Sequence, residues 1–481
     1  MIMQKKQQTG LRHMFAGTGP QILASVAATI SAMNDGMHYG WSAPVIPILQ
    51  ADNTPIQISK VDESWLEAMY LVGGIAGLPV TIFLVNKIGR KNSTMVSSVT
   101  SLLSWILIAL ASNVTLLYVA RFLSGLAGDM AFVATPMYVA EIADQKIRGL
   151  LSCLIYLMML FGILLIYAIA PFTPFYVPSV VGGALLVTQL ASFTFMPKSP
   201  YYLITKNKMD KARKALNRLR TTKDNEAELE EISRAIERQR KEKGRPQDLL
   251  LVNSNRKALI VITMLNGAQH FTGISVMLMN MHTILTKAGS VYLTSNATAI
   301  IFSSCMLIAA TISSFAVDKY GRKFLLISSS ILTGICLLVL AVYFNLQYSG
   351  YDVRAVSWIP IGCVMAYAAT FKMGLGMVPI VISAEIFSNK VKAMGMTIAD
   401  AMYLVFGILS IELYKHLSES YGYHVPFYIF ACFSFITTVF VVTIVPETKG
   451  KSLEEIQLLL KGQKAVVSHE DKDVTTSLTK V

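Results

Sequence analysis

Asn86-Lys87-Ile88-Gly89-Arg90-Lys91 follows a long apolar stretch, and Asp318-Lys319-Tyr320-Gly321-Arg322-Lys323 follows another in the second half of the chain. A second pattern repeats in the same order: Glu141-Ile142 with Arg148-Gly149 returns as Glu385-Ile386 with Lys392-Ala393. One short match is easily met by chance, but two in register at equivalent loops point to a duplicated unit. Within each motif the glycine permits a tight turn between two helices, and the arginines reach carboxylates at neighbouring helix ends. We therefore expect two gating latches: Glu141 with Arg148 and Arg90, and Glu385 with Lys392 and Arg322. Each should favour the outward-facing state of a protein that opens to either side of a membrane.

Working outward from the repeats, the 481 residues are 53% hydrophobic and 15% charged, well below the roughly 25% charge of soluble domains. A soluble enzyme is a poor fit. The excess of 42 Lys+Arg over 29 Asp+Glu lies between apolar runs, which argues against nucleic acid as a partner. Cys153, Cys305, Cys336, Cys363 and Cys432 stand singly, so neither a disulfide framework, a structural metal nor another cofactor is expected.

A helix needs about 20 mainly apolar residues to cross a bilayer. Twelve such stretches occur, near 22–48, 64–85, 93–112, 114–140, 149–171 and 177–196, then 256–286, 292–317, 323–345, 355–384, 391–415 and 424–445. The fold class is an all-α membrane protein of twelve transmembrane helices in two six-helix bundles, with short cytoplasmic linker helices. The domains divide as a cytoplasmic segment 1–21, a first bundle 22–196, a linker 197–255, a second bundle 256–445 and a cytoplasmic tail 446–481. Lys5, Lys6 and Arg12 before an uncleaved first span keep the amino terminus inside. Lys87, Arg90, Lys91, Lys146, Arg148, Lys319, Arg322, Lys323, Lys390 and Lys392 then fall on inner loops, against Lys60, Lys287, Arg354 and Lys415 outside. An even span count returns the carboxyl terminus to the cytoplasm. The linker, helix-forming from Met209 to Lys243, reads as short solvated helices. Ser452-Leu453-Glu454-Glu455 forms a capping box ahead of a short helix, and the chain from Gly462 has the composition of a disordered tail. Duplicated halves around a midplane site are the architecture of secondary transporters.

Ionisable residues at membrane depth cost about 2.5–3.5 kcal/mol each on insertion scales, and so usually face a cavity or a partner. Asp35 and His38 in span 1, Arg121 and Asp129 in span 4, His270 in span 7, Lys372 in span 10 and Asp400 in span 11 stand out. Asp35 and His38 share a helix face; Asp35 is expected to pair with Arg121, leaving His38 to sense pH or touch the solute. Lys372 binds an anionic group, snorkels towards the membrane surface or pairs with Asp400. Gly73-Gly74-Ile75-Ala76-Gly77 reads as close helix packing, and Met277, Met279 and Met281 as apolar lining.

The chain from Gly36 to Gly450 resembles the sugar porter family of the major facilitator superfamily. The motifs that carry the likeness are Ser64-Trp65, Arg121, Pro136-Met137-Tyr138-Val139-Ala140-Glu141, Pro197-Lys198-Ser199-Pro200, Gln269 with Thr272-Gly273, and Pro446-Glu447-Thr448-Lys449-Gly450. Among subgroups it is most similar to insect facilitated trehalose transporters and related hexose facilitators. The resemblance implies a major facilitator fold and a non-enzymatic secondary transporter that moves a sugar, hexose or trehalose-like, by alternating access. Passive and proton-coupled movement both stay open, as do plasma and internal membranes; a monomer in the bilayer and a plasma-membrane location are the expectation. Gln269, Thr272, Ser275, Asn280, His38 and Tyr156 become the expected substrate contacts, and Asp35, His38 and Arg121 the expected ion-coupling group. His38 takes a place that is acidic in proton-coupled members.

The chain departs from the family pattern in span 7, where Gln269-His270-Phe271-Thr272-Gly273-Ile274-Ser275 stands for Gln-Gln-x-Ser-Gly-x-Asn. It also departs where Tyr156 replaces a glutamine, where Ile380 follows Pro379 in place of a tryptophan, and at Lys198 and Lys392. Each hydroxyl of a sugar left unpaired costs on the order of 1–3 kcal/mol, so a non-sugar or anionic solute, or a nutrient receptor that binds without transport, stays open beside the sugar reading. A lysine lacks the planar fork of arginine, so Lys392 implies a looser second latch.

Overall fold

The computed structural model describes residues 17–461 except 52, 53, 55, 145, 146, 221–224, 242–244, 246, 290, 291, 389 and 452. The expectations on Lys5, Lys6, Arg12, Lys146, Ser452 and the tail from Gly462 lie outside the described residues. Among the described residues every regular element is a helix. Spans 2 to 6 are the helices Lys60–Lys87, Arg90–Ala109, Val114–Ile142, Arg148–Ile169 and Val177–Thr194. Spans 8, 9, 11 and 12 are Ser295–Tyr320, Arg322–Tyr348, Lys392–Tyr421 and His424–Thr443. Large apolar side chains such as Phe83, Leu110, Phe315 and Val439 remain exposed, as suits helices that face lipid.

Spans 1, 7 and 10 are broken. Span 1 runs Gly19–Gly40 and resumes as Ser42–Leu49. Span 7 is three pieces, Asn253–Phe271, Ile274–Met279 and Met281–Ala288, and span 10 is Trp358–Met373 followed by Val378–Ile386. Ten helices among the described residues are long and apolar enough to cross a membrane; the pieces of spans 1 and 7, shorter or more polar, complete the twelve.

A helix break at membrane depth frees backbone carbonyls that lipid cannot satisfy. Tyrosines take them. Gly273 enters the left-handed region at φ 89°, and the Tyr367 hydroxyl donates to Thr272 O at 3.0 Å. Tyr167 donates to Leu278 O at 2.5 Å, and Tyr156 to Gly376 O at 3.1 Å. Tyr156 and Tyr167 come from span 5 of the first half, so two of these three breaks in the second half are completed by the first.

The halves meet where span 2 packs on span 11 and span 5 on span 8. Within the first half, Gly73 approaches the Phe122 carbonyl and Gly125 that of Tyr70 so closely that an added Cβ would lie 2.1 and 1.7 Å from them, which is the close packing expected of the span 2 glycines. The linker forms Pro200–Thr205, Met209–Leu219 and Glu226–Lys241. These helices are not merely solvated: Leu203, Leu216, Leu229, Ile232 and Ile236 build a small core of their own. Arg220 Nη1 donates to Ile142 O at 2.9 Å and Gln21 Nε2 to Leu219 O at 3.2 Å, docking the linker on the first half.

Candidate functional site

Both glycine turns adopt positive φ, 88° at Gly89 and 92° at Gly321, and so set a basic residue at the start of the next span beside the end of span 4 or span 10. Arg90 Nε donates to Glu141 Oε1 at 2.8 Å, and Arg322 Nη2 to Glu385 Oε1 at 3.0 Å. Each carboxylate takes a second bond from a hydroxyl: Glu141 from Ser199, and Glu385 from Thr448 at 2.6 Å. Arg148 does not reach Glu141; its Nη2 donates to Ala143 O at 3.3 Å. Lys392 lies half-buried at the start of span 11. Each network stays inside its own half.

The ion pair that joins the halves lies at the opposite end. Lys415 of span 11 contacts Glu67 of span 2 at 2.7 Å, with Glu67 fully buried, and donates to Ser64 Oγ at 3.2 Å. The latches are thus made while the far end is tied shut. The latches and the pair at the far end are formed together in this structure.

Between these ends lies a polar midplane. Tyr39 of span 1 shares a 2.9 Å hydrogen bond with Ser275 of span 7, and Ser275 meets His270 Nδ1 at 2.8 Å. The His270 ring packs edge-on against Tyr403 at 4.1 Å. Gln269 is 6% exposed, and no side chain among the described residues bonds its carboxamide. Asn280 is buried, and its Nδ2 has no partner among the described residues. Thr272 is fully buried, and its hydroxyl donates to Gln269 O at 2.9 Å.

In the first half, Ser31, Asp35, His38, Ser97 and Ser101 cluster with Ala127, Gly128 and Leu186. His38 stacks on Trp105 at 3.9 Å and its Nε2 meets Ser101 Oγ at 3.1 Å, while Nδ1 has no partner among the described residues. Asp35 does not pair with Arg121 as expected. It accepts from Tyr70 at 2.7 Å, while Arg121 donates to His38 O at 2.6 Å, Leu66 O at 3.1 Å and Ser42 Oγ at 3.3 Å. The guanidinium stacks over Trp41 and Tyr70. The break after Gly40 supplies the His38 carbonyl, a strong acceptor already in place, which the sequence pattern could not show. Asp129 accepts from Thr81 at 3.0 Å. Lys372 does not pair with Asp400, whose residue is exposed; its Nζ bonds the Tyr156 hydroxyl of the opposite half.

A sequence profile described as Sugar (and other) transporter matches residues 21–460. The chain belongs to that family. Proteins named facilitated trehalose transporter Tret1 are among its relatives. That of Anopheles gambiae is 28% identical over 446 residues, 92% of this chain and 56% of that protein. That of Culex quinquefasciatus is 29% identical over 93% of this chain and 87% of the relative. The chain spans about half the length of the first mosquito relatives, 56% and 55%. Among solved structures, the proton:xylose symporter XylE bound to 6-bromo-6-deoxy-D-glucose aligns with a TM-score of 0.74 at 22% identity, over 92% of this chain and all of that one. The inward-open xylose transporter XylE from E. coli aligns with a TM-score of 0.74 at 21% identity, covering 90% of this chain and 98% of that one. The shared fold is that of the major facilitator superfamily, and this chain is an integral multi-pass membrane protein of twelve helices in two bundles.

Proposed function

We propose that this protein is a secondary transporter that carries a small hydroxylated solute, a sugar or a close relative of one, by alternating access. The observation that carries the reading is the meeting of the two halves on polar groups at mid-depth: Tyr39 with Ser275, and Tyr156 with Gly376. Such contacts are strong enough to close the halves around a bound solute and weak enough to part when they rock. The names of the trehalose and xylose transporters above support a sugar-like cargo. Gln269 and Asn280 are its polar contacts, Ser275 and Tyr156 join when the halves separate, and His38 with Asp35 and Arg121 forms the candidate proton-linked group in the first half. The Glu141 and Glu385 networks brace each bundle, and Lys415 with Glu67 shuts the end opposite them. The latch end faces the cytoplasm with both termini, in the plasma membrane, and the monomer is the working unit.

The test is counterflow of labelled trehalose, hexoses and polyols in proteoliposomes at two pH values. Saturable exchange of at least one is expected. Saturable binding with no exchange would favour a receptor over a carrier.

A further inference from the structure

Lys372 is the exception among the buried cations. Arg90, Arg322 and Lys415 face carboxylates, and Lys91 donates to two carbonyls, Thr194 O at 2.7 Å and Met196 O at 2.6 Å. Lys372 is 4% exposed, and its hydrogen-bond partner among the described residues is the neutral Tyr156 hydroxyl. The aromatic faces of Tyr156 and Phe371 lie 4.9 and 5.4 Å from Nζ. An ammonium has three donors, and a phenol oxygen takes one of them.

The side chain is held inside the protein. The break at Gly374-Leu375-Gly376 seats it, since a Cβ on Gly376 would stand 2.9 Å from Lys372 Cδ and 3.0 Å from Phe371 Cε1. It ends at the seam between spans 5 and 10, which belong to opposite halves and must part in an alternating-access cycle. A buried cation without a counter-charge is strongly unfavourable, and an incoming anion would neutralise it.

We propose that the solute carries one carboxylate on a hydroxylated frame, as a sugar acid does, and that Lys372 binds this group in place of the Tyr156 hydroxyl; this rests on the carrier reading above. One lysine matches one negative charge. The remaining deep cation, Arg121, directs its donors to His38, Leu66 and Ser42 in the first half, so a phosphate dianion would keep an uncompensated charge. Gln269 and Asn280 supply the amides for the hydroxyls.

The experiment uses the full chain in detergent and in proteoliposomes. Binding of D-glucuronate, D-glucose, trehalose and glucose 6-phosphate is followed by thermal shift at fixed ionic strength. Glucuronate should bind about tenfold tighter than the neutral sugars and the phosphate, a difference of about 1.4 kcal/mol. Lys372→Met should erase the preference and Lys372→Arg retain part of it. Equal or absent response to glucuronate in the parent chain overturns the proposal even if a variant fails to fold, as does a preference that survives Lys372→Met. Glucuronate binding without counterflow overturns the carrier reading and leaves the carboxylate site standing; counterflow confined to neutral sugars does the reverse.

Discussion

The two halves carry one latch with different surroundings. In each, an arginine after a glycine turn meets a glutamate, and a hydroxyl, Ser199 or Thr448, donates to that glutamate. In each, the next lysine reaches a carbonyl at the end of the last span of its half: Lys91 to Thr194 O and Met196 O, Lys323 to Val442 O at 2.7 Å. They differ one residue before the hydroxyl, where the first half has Lys198 and the second has Glu447. Glu447 accepts from the backbone N–H of Arg322 at 3.0 Å and of Lys323 at 2.9 Å, capping the start of span 9. At the equivalent turn of the first half, the Tyr202 ring covers Gly89 and its hydroxyl donates to Lys87 O at 2.9 Å. The arginine, carboxylate and hydroxyl set is thus common to both copies, while the helix cap is local and replaceable.

The largest expected effect comes from removing the shared element. Arg90→Ala and Arg322→Ala each leave a carboxylate without its cation, at a cost of about 3 kcal/mol. The Glu141 side chain is 14% exposed and that of Glu385 28%, so Arg90→Ala should lower the unfolding midpoint in detergent further than Arg322→Ala. The reverse order would break the comparison.

Glu447→Gln should cost about 1–2 kcal/mol by weakening the cap, read by the same midpoint. Lys198→Glu carries the missing acid into the first half and should gain about 0.5–1 kcal/mol; no gain would mean that Tyr202 already completes that turn.

Acid sensitivity sharpens the difference. Partial burial pushes the Glu447 carboxyl up, but the backbone donors of Lys449, Lys323 and Arg322 outweigh it and hold the group below its ordinary range. A depressed carboxyl contributes stability above the unfolded value and loses it as pH falls through the folded one. The parent should therefore destabilise more steeply with acid than Glu447→Gln, as measured by midpoint against pH. The smallest effect is expected for Lys392→Arg, within about 0.5 kcal/mol, because Arg322 already supplies the cation for Glu385.

The span count, the duplication and the arginine–glutamate pairs were legible because charge at membrane depth is costly and glycine turns are conspicuous in an apolar background. Glu67 and Lys415 were hidden for the opposite reason: each stands near a loop, where a charge needs no explanation. Tyr39, Tyr167 and Tyr367 were hidden because a tyrosine in an apolar span reads as lining, and Tyr156 was expected to touch a solute, not to bond Gly376 O and Lys372. Asp35 was assigned the wrong partner because the His38 carbonyl becomes an acceptor for Arg121 only where span 1 breaks.

By itself the sequence determined how many helices cross, that they come as two copies, and which charges had to be neutralised, since these follow from hydropathy and the expense of burying a charge. Only the tertiary structure decided which groups neutralise them across the seam, that tyrosines of span 5 complete the broken helices of the other half, and that Lys372 meets a phenol rather than a carboxylate. Those outcomes depend on the rotation and depth of each packed helix, which a twelve-span pattern leaves undetermined.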